Sequence, residues 1–437
     1  MTSPTNGQPL RIAIIGGGIA GVTLLLALLK HTSRETISPH LYEATPEFSE
    51  IGAGIAFGSN SIRAMELIDR DMAAAYNKHA TFQPDTGALE KKLWSSYRMG
   101  MDGRGASNTL KAGDYLHEVH AAVARSSVHR ARFLEAMTAL LPAENECVSF
   151  GKRLVSIDEV EDGVTVHFAD GTSVAADAVI GCDGIKSRVR QILLDGEEAA
   201  NAIFTGKYAY RGLIPMDEAV QALGEYTARN NHFHWGYDGH LLTFPIEHGK
   251  TMNVVAFRTK QNGVWEHGSQ WVLPGNKEQM LQDFEEWGQD VKAILSLMRN
   301  ADIWAMFDHP SARTYHRGGR ICIMGDAAHA STPHQGAGAG MAVEDVYVLS
   351  RLLGEVHERS QLEKAFAAYD AVRRPRTQKL VRTSRDAGQL YQCQKEGVKD
   401  DVEKIRANLD ERMRWIWDLD VEQHLKEAMS VFRQCDI

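Results

Sequence analysis

The sequence predicts an α/β fold: a parallel sheet, an antiparallel sheet inserted into it, and a helical C-terminal segment. Three observations point there. A β-branched run, Arg11 to Ile15, ends in the glycine-rich turn GGGIAG at Gly16 to Gly21. A second run of the same type, Arg320 to Met324, ends far along the chain in another, GDAAHASTPHQGAGAG, at Gly325 to Gly340. Between them, Lys207 to Arg258 is rich in aromatic and strand-forming residues broken by polar turns such as Tyr237-Asp238-Gly239.

Short continuous apolar runs suit strands buried on both faces, as in parallel sheets. After the first turn, Ile19 to Lys30 has helical spacing, and His40 to Glu43 forms a second strand ending in an acid, which completes a βαβ start. Ser126 to Leu134 predicts a helix capped by Ser126 or Ser127, with Leu134, Met137 and Leu140 on its buried face. Val164 to Phe168, a turn at Asp170-Gly171, and Ser173 to Ile180 read as a hairpin-like pair running into Gly181-Cys182-Asp183-Gly184. Met341 to Leu353 is apolar at helical spacing, and from Gln361 the chain is helical and charged, with a break expected at Arg373-Arg374-Pro375-Arg376.

No repeat or low-complexity linker separates these parts, so the domains are expected to interleave. Residues 9–75, 112–190 and 300–385 form a discontinuous Rossmann-like cofactor domain, in which the strands at Arg11 to Ile15 and Arg320 to Met324 share one sheet. Residues 76–111 and 191–299 form a substrate domain, and 386–437 a helical C-terminal segment.

With 437 residues, 43% of them hydrophobic, the chain can bury a large core in two or three domains. Its net charge of −9 comes without a long basic run, which argues against a nucleic-acid surface. Cys147, Cys182, Cys322, Cys393 and Cys435 are scattered without a CxxC pair, so neither a disulfide framework nor a metal site is expected, and a reducing compartment fits. The polar start MTSPTNGQPL is unlike a signal peptide, and the apolar run Val22 to Leu29 is too short to span a bilayer. These features predict a cytoplasmic enzyme with no membrane contact, a monomer or homodimer.

In GxGxxG the first glycine allows a tight turn, the second lets backbone N–H groups approach a pyrophosphate, and the third lets helix and strand pack closely. Gly16, Gly18 and Gly21 fill those places, and the helix N-terminus that follows favours phosphate. Glu43 is placed to accept from the adenosine ribose hydroxyls. This much leaves NAD and FAD both open, because one turn serves both. The second glycine-rich stretch points to FAD. Asp326 follows a buried strand at the ligand edge of the sheet, and Gly336, Gly338 and Gly340 leave N–H groups unshielded for a ring edge that becomes anionic on reduction.

Several stretches together resemble the single-component FAD-dependent aromatic hydroxylases, which share the fold of para-hydroxybenzoate hydroxylase. They are GGGIAG at Gly16, EIGAGIAFGSNSIRAM from Glu50, SSVHRARFLEAM from Ser126, VIGCDGIKSRVR from Val179, YRGLIP from Tyr210, DGHLLTFPI from Asp238 and GDAAHASTPHQGAGAGMAVED from Gly325. The resemblance covers almost the whole chain. Within that family the chain is most similar to the salicylate 1-hydroxylases, and it is related to the fungal dearomatising phenol hydroxylases. Cys182 stands where the pattern usually has alanine.

The resemblance implies cofactor contacts at Gly16, Gly18, Ala20, Gly21, Glu43, Gly54, Arg130, Asp183, Asp326, Gly336, Ala337, Gly338 and Ala339. Among these, Arg130 is expected near the pyrophosphate and ribityl region, Asp326 at the ribityl chain and Gly338 with neighbouring amides at the flavin ring. It also implies that NADH or NADPH reduces FAD without a second dinucleotide fold, and that O₂ adds at flavin carbon 4a. The resulting hydroperoxide passes OH to a phenolic ring, with salicylate giving catechol and CO₂.

A substrate with anionic oxygens wants a cation, and Arg211 is the first candidate because a guanidinium stays charged and binds planar oxyanions at two points. Tyr210 and Tyr237 are candidates to donate or orient a proton. Trp235, Phe244 and Pro333 are candidates to wall the ring, with about half of the strand aromatics expected to face a core instead. His234, His240 and His334 are candidate bases, since imidazole titrates near working pH. His329, like His334, sits beside the flavin seat and alternatively only braces that loop. Cys322 reads as packing.

Three other activities stay open at this stage. They are dearomatising hydroxylation of an orcinaldehyde-like phenol, hydroxylation of 6-hydroxynicotinate or 3-hydroxybenzoate, and flavin binding without hydroxylation.

Overall fold

The computed structural model describes residues 8–48, 54–84, 92–142 and 147–434. The first strand, Leu10–Ile15, is buried everywhere except at Arg11, as burial on both faces of a parallel sheet requires. It lies inside a six-stranded sheet ordered His316–Arg317, Ile321–Ile323, Ala178–Gly181, Leu10–Ile15, Ile37–Tyr42 and Val148–Ser149. All neighbours pair parallel except the short His316–Arg317 edge. The strands before the two glycine-rich turns therefore share a sheet, with Ala178–Gly181 between them. Helix Ile19–His31 packs close because Gly21 has no side chain; a Cβ there would stand 1.9 Å from the Gly16 carbonyl oxygen.

The inserted sheet has eight strands, ordered Val272–Pro274, Asp302–Asp308, Ile203–Pro215, Thr251–Thr259, Gly239–Ile246, His232–Trp235, Lys92–Met99 and Tyr115–Ala121. Every pairing is antiparallel except His232–Trp235 beside Lys92–Met99. It reaches beyond the expected boundaries. Tyr115–Ala121 and Asp302–Asp308 hydrogen-bond into it, so 115–121 and 302–308 leave the cofactor domain; periodicity shows a strand but not the partner its backbone will pair with. One face packs on helices Met216–Leu223, Lys277–Asp283 and Gln289–Leu297 through Tyr210, Ile214, Phe284 and Leu295. The other face looks toward the cofactor sheet.

Three local expectations change. Ser126–His129 is a strand, paired with Gly54–Ala56 and Thr81–Phe82, and the helix starts only at Arg130 with His129 as its cap and ends at Thr138, before Leu140. The serine hydroxyls are engaged elsewhere: Ser127 donates to the Pro245 carbonyl at 2.6 Å, and Ser126 bonds the Tyr76 hydroxyl at 2.6 Å. The run Ser173 to Ile180 divides at Asp177, whose carboxylate accepts from the Arg11 backbone N–H at 2.7 Å; Ser173–Ala176 joins a small antiparallel sheet and Ala178–Gly181 the parallel one.

The break at Pro375 does not occur, and helix Leu362–Tyr391 runs through it. The arginines around that proline are anchored to buried acids, Arg373 to Asp345 and Glu344, Arg374 to Asp370, and Arg376 to Glu344, which offsets the lost backbone bond. The same helix crosses the expected boundary at 385. Helices Val402–Arg412, Arg414–Trp417 and Val421–Gln434 follow. Trp417 docks them onto the body, with its ring 4.5 Å from that of Trp94.

Glu50 to Ala53 of the EIGAG stretch lie outside the described residues, as does Cys435. Among the described residues no helix is long and apolar enough to cross a membrane, and no cluster of His, Cys, Asp and Glu could hold a metal ion.

Candidate active site

A cavity of about 570 Å³ runs between the two sheets, from Glu43 past both glycine-rich turns to the open face of the eight-stranded sheet. At one end Gly16, Gly18 and Ala20 line it. Gly16 has φ +106°, which only glycine adopts without strain. Gly21 lies behind this wall and serves the helix–strand packing. Glu43 faces the cavity with its carboxylate already oriented, since Oε2 accepts from the Gly17 N–H at 2.6 Å and Oε1 from the Thr45 N–H at 2.7 Å. Arg130 lines the same region at the start of its helix.

Asp183 also lines the cavity, but its oxygens organise its own loop, accepting from Ser187 Oγ at 2.5 Å and from the N–H groups of Arg188 and Val189 at 2.7 and 3.1 Å. Burial pushes its carboxyl above the usual range, against these hydrogen bonds. Lys152, Arg153, Lys186 and Arg188 add positive charge to this part of the wall. Sequence reasoning assigned them no role, although Lys186 and Arg188 lie inside the quoted VIGCDGIKSRVR stretch.

At the second turn, Asp326, Pro333, Gly336, Ala337, Gly338 and Ala339 line the cavity, as does Gly54 opposite. Gly325 and Gly336 sit at φ +57° and +60°. Helix Gly338–Leu353 begins without a side-chain cap, so its first N–H groups are left for a ligand. The turn is held from beneath. Asp345 accepts from the Gly325 N–H at 3.0 Å and pairs with His329 at 2.5 Å, and Arg373 binds it on the far side at 2.8 Å. A phosphate-tolerant glycine turn, a ribose-facing acid, a second acid and an uncapped 16-residue helix along one cavity fit FAD.

The substrate end is floored by the sheet face carrying Arg211, Leu242, Phe244, Val255, Phe257 and Met306. Strand alternation puts Arg211 on this face and therefore Tyr210 on the other. Tyr210 is 1% exposed and donates to Asp283 Oδ2 at 2.8 Å; burial and that carboxylate push its phenol pKa up. It does not reach the cavity, nor does Tyr237, whose hydroxyl bonds Arg104, Ser107 and Asp400 at the surface. Trp235 packs with Tyr97 and Tyr391 in a separate cluster, because Phe233 and Trp235 fill the apolar space under the C-terminal helices.

The candidate bases are likewise outside. His334 packs beside the floor on the same side of the sheet, its ring 4.9 Å from that of Phe257, without lining the cavity, and burial pushes its pKa down to about 3. His240 stacks on Phe257 at 4.3 Å and is pushed well below its ordinary value, and His234, pushed to about 4, is on the opposite face of the sheet. No histidine lines the cavity among the described residues.

Arg211 has its guanidinium 4.7 Å over the Trp304 ring and no acidic partner among the described residues. Burial and the charge of Arg130 push its pKa down to about 10, so it stays charged at neutral pH. Arg125 also lines the cavity and was missed, because its only sequence signal is its place before SSVHR. Leu242, Val255 and Phe257 follow from alternation once Phe244 is known to face inward.

Comparison with known proteins agrees with this geometry. The family described as FAD binding domain matches residues 10–384. The 6-methylsalicylate 1-monooxygenase of Aspergillus terreus is 41% identical over 435 residues, covering 98% of this chain and 93% of that one. A salicylate hydroxylase of Pseudomonas putida is 37% identical over 436 residues, covering 97% and 96%. A solved salicylate hydroxylase substrate complex superposes with a TM-score of 0.84 at 36% identity, covering 96% and 98%. With the cradle, the apolar floor and these matches in agreement, the chain belongs to the FAD binding domain family and is a FAD-dependent monooxygenase of the salicylate hydroxylase type.

Proposed function

We propose that this enzyme hydroxylates the carboxylate-bearing ring carbon of a salicylate-type acid with loss of CO₂, turning salicylate into catechol. One salicylate, one NAD(P)H, one O₂ and two protons give catechol, NAD(P)⁺, water and CO₂. When bound, FAD supplies the redox chemistry that carries electrons from NAD(P)H to O₂.

The observation that carries this reading is Arg211, a charged guanidinium without an acidic partner among the described residues, on an otherwise apolar floor facing the cofactor cradle. Paired with the ring hydroxyl oxygen, it stabilises the phenolate, and the phenolate feeds electron density to the carbon that is attacked. No histidine lines the cavity among the described residues, and the cation lowers the pKa of the phenol so that its proton passes to water. Leu242, Phe244, Val255 and Phe257 exclude water from the ring. The names of the two relatives, one for salicylate and one for 6-methylsalicylate, support the substrate class, and the apolar floor has no polar group to reject a ring methyl.

The test is NAD(P)H oxidation by the yellow holoenzyme against a panel of phenolic acids and aldehydes under O₂, with products identified. Catechol and stoichiometric CO₂ from salicylate support the proposal. A non-aromatic dienone from an orcinaldehyde, with salicylate inert, overturns it in favour of dearomatising hydroxylation, and a protein that takes up no FAD overturns both.

A further inference from the structure

Met306 brings a thioether into the cavity wall, and it is the one methionine there among the described residues. Its strand, Asp302–Asp308, runs into His309, whose N–H donates to the Ala330 carbonyl of the second glycine-rich turn at 3.0 Å. In the other direction, Trp304 on the same face carries the Arg211 guanidinium 4.7 Å over its ring. Along this strand Met306 therefore lies between the ring that supports Arg211 and the residue bonded to the flavin turn. It packs in one apolar cluster with Ala209, Val255, Phe257 and Trp304, and the 7% of it that stays exposed opens into the cavity.

This placement matters because the family's chemistry generates an electrophilic oxygen in the same space. Leu242, Phe244, Val255 and Phe257 offer that oxygen no lone pair, and Arg211 is a cation. The Met306 sulfur is a soft nucleophile that oxidises without first losing a proton. The other sulfur in the wall, Cys182, stands at the first glycine-rich turn, against Gly16, and burial pushes its thiol pKa well up. A thiol kept protonated reacts slowly.

We propose that Met306 is a modification site of the enzyme's own making: with no phenol on the floor, the oxygen atom meant for the ring passes to the Met306 sulfur. A sulfur lone pair attacks that oxygen, an S–O bond forms as the O–O bond breaks, and the second oxygen atom leaves as water. Met306, NAD(P)H, O₂ and one proton give Met306 sulfoxide, NAD(P)⁺ and water. The sulfur loses two electrons, and NAD(P)H supplies the other two that O₂ takes up. The product is a polar, chiral group on an otherwise apolar floor. The inference rests on the family's monooxygenase chemistry and is independent of which acid is the substrate.

The experiment maps methionine sulfoxide by peptide mass spectrometry. FAD in the holoenzyme is photoreduced without air and without phenol, then mixed with O₂ in the dark, over repeated cycles with catalase present. The peptide holding Met306 is expected to gain about 16 Da, at least about fivefold more often than those holding Met413 and Met429, which are only partly buried. A packed side chain presents one face of its sulfur, so one sulfoxide epimer is expected, and only one of the two epimer-specific methionine sulfoxide reductases should remove it from the peptide. Met306→Leu should lose the gain without transferring it to Met413 or Met429. Oxidation of Met413 and Met429 ahead of Met306, a mixture of both epimers, or a gain seen only without catalase would assign the oxidation to free peroxide and overturn the proposal. So would an unmodified Met306 after the flavin has been reoxidised through many cycles.

Discussion

Asp345 holds His329 at 2.5 Å, both fully buried, directly under the turn that carries Asp326. The same carboxylate takes the Gly325 N–H and the Arg373 guanidinium. Desolvation alone would raise its pKa, but His329 and Arg373 hold it down at about 2. Asp345→Asn keeps the shape and removes the charge, leaving Arg373 short of a partner. The expected outcome is a loss of about 3–5 kcal/mol in urea unfolding, together with weaker FAD retention after gel filtration. Unchanged FAD content would show that the network supports the fold without positioning the turn.

Several buried histidines set a pH dependence of stability, His240 among them. His232, His309 and His334 are pushed down to about 3 and His234 to about 4, in each case chiefly by burial. Unfolded, each titrates near about 6.5. Between those values the unfolded chain binds more protons than the folded one, so stability is fully present above about 6.5 and lost as pH falls toward 3, by up to about 1.4 kcal/mol per pH unit per histidine. Urea midpoints at pH 5 should lie clearly below those at pH 7, and His334→Asn should flatten that slope.

Arg211→Ala should raise the dissociation constant of the phenolic acid by about tenfold or more and slow substrate-stimulated flavin reduction. Arg211→Lys should restore charge but not the two-point contact, and so only part of the affinity. Stopped-flow reduction at saturating NAD(P)H reads both. Kinetics equal to wild type would remove Arg211 from the site.

Gly54 is packed against the substrate wall. A Cβ there would stand 2.3 Å from the Phe244 ring and 2.9 Å from the Ile246 side chain. Gly54→Ala should push Phe244 into the cavity, raise KM and cost about 1–3 kcal/mol from overpacking. Adding Phe244→Leu should recover part of the affinity. A double mutant no better than the sum of its singles would disprove the coupling.

Tyr210→Phe removes only the hydrogen bond to Asp283 on the far face of the sheet. It should cost about 1 kcal/mol of stability and leave the pH profile of kcat unchanged. A shifted profile would return Tyr210 to the chemistry.

Local patterns in the sequence determined the cofactor half of this protein. GGGIAG, Glu43 and GDAAHASTPHQGAGAG each state a backbone requirement or a charge at a strand end, and these survive folding because the parallel sheet brings successive strand ends to one edge. Arg211 and Phe244 were legible for a similar reason, as strand residues in a polar-interrupted, aromatic stretch. The tertiary structure alone decided which face each strand residue takes. Tyr210 and Arg211 are neighbours in sequence and lie on opposite sides of the sheet, and His334, which belongs to the flavin turn, packs beside Phe257 without lining the cavity. Alternation puts adjacent residues on opposite faces without saying which face meets the cofactor; that choice comes from the packing of the helices on the far side. Arg125 was invisible for the same reason. Nothing in its local sequence marks it, and only the approach of Phe244 and Trp94 from distant strands makes it a charge inside a cavity.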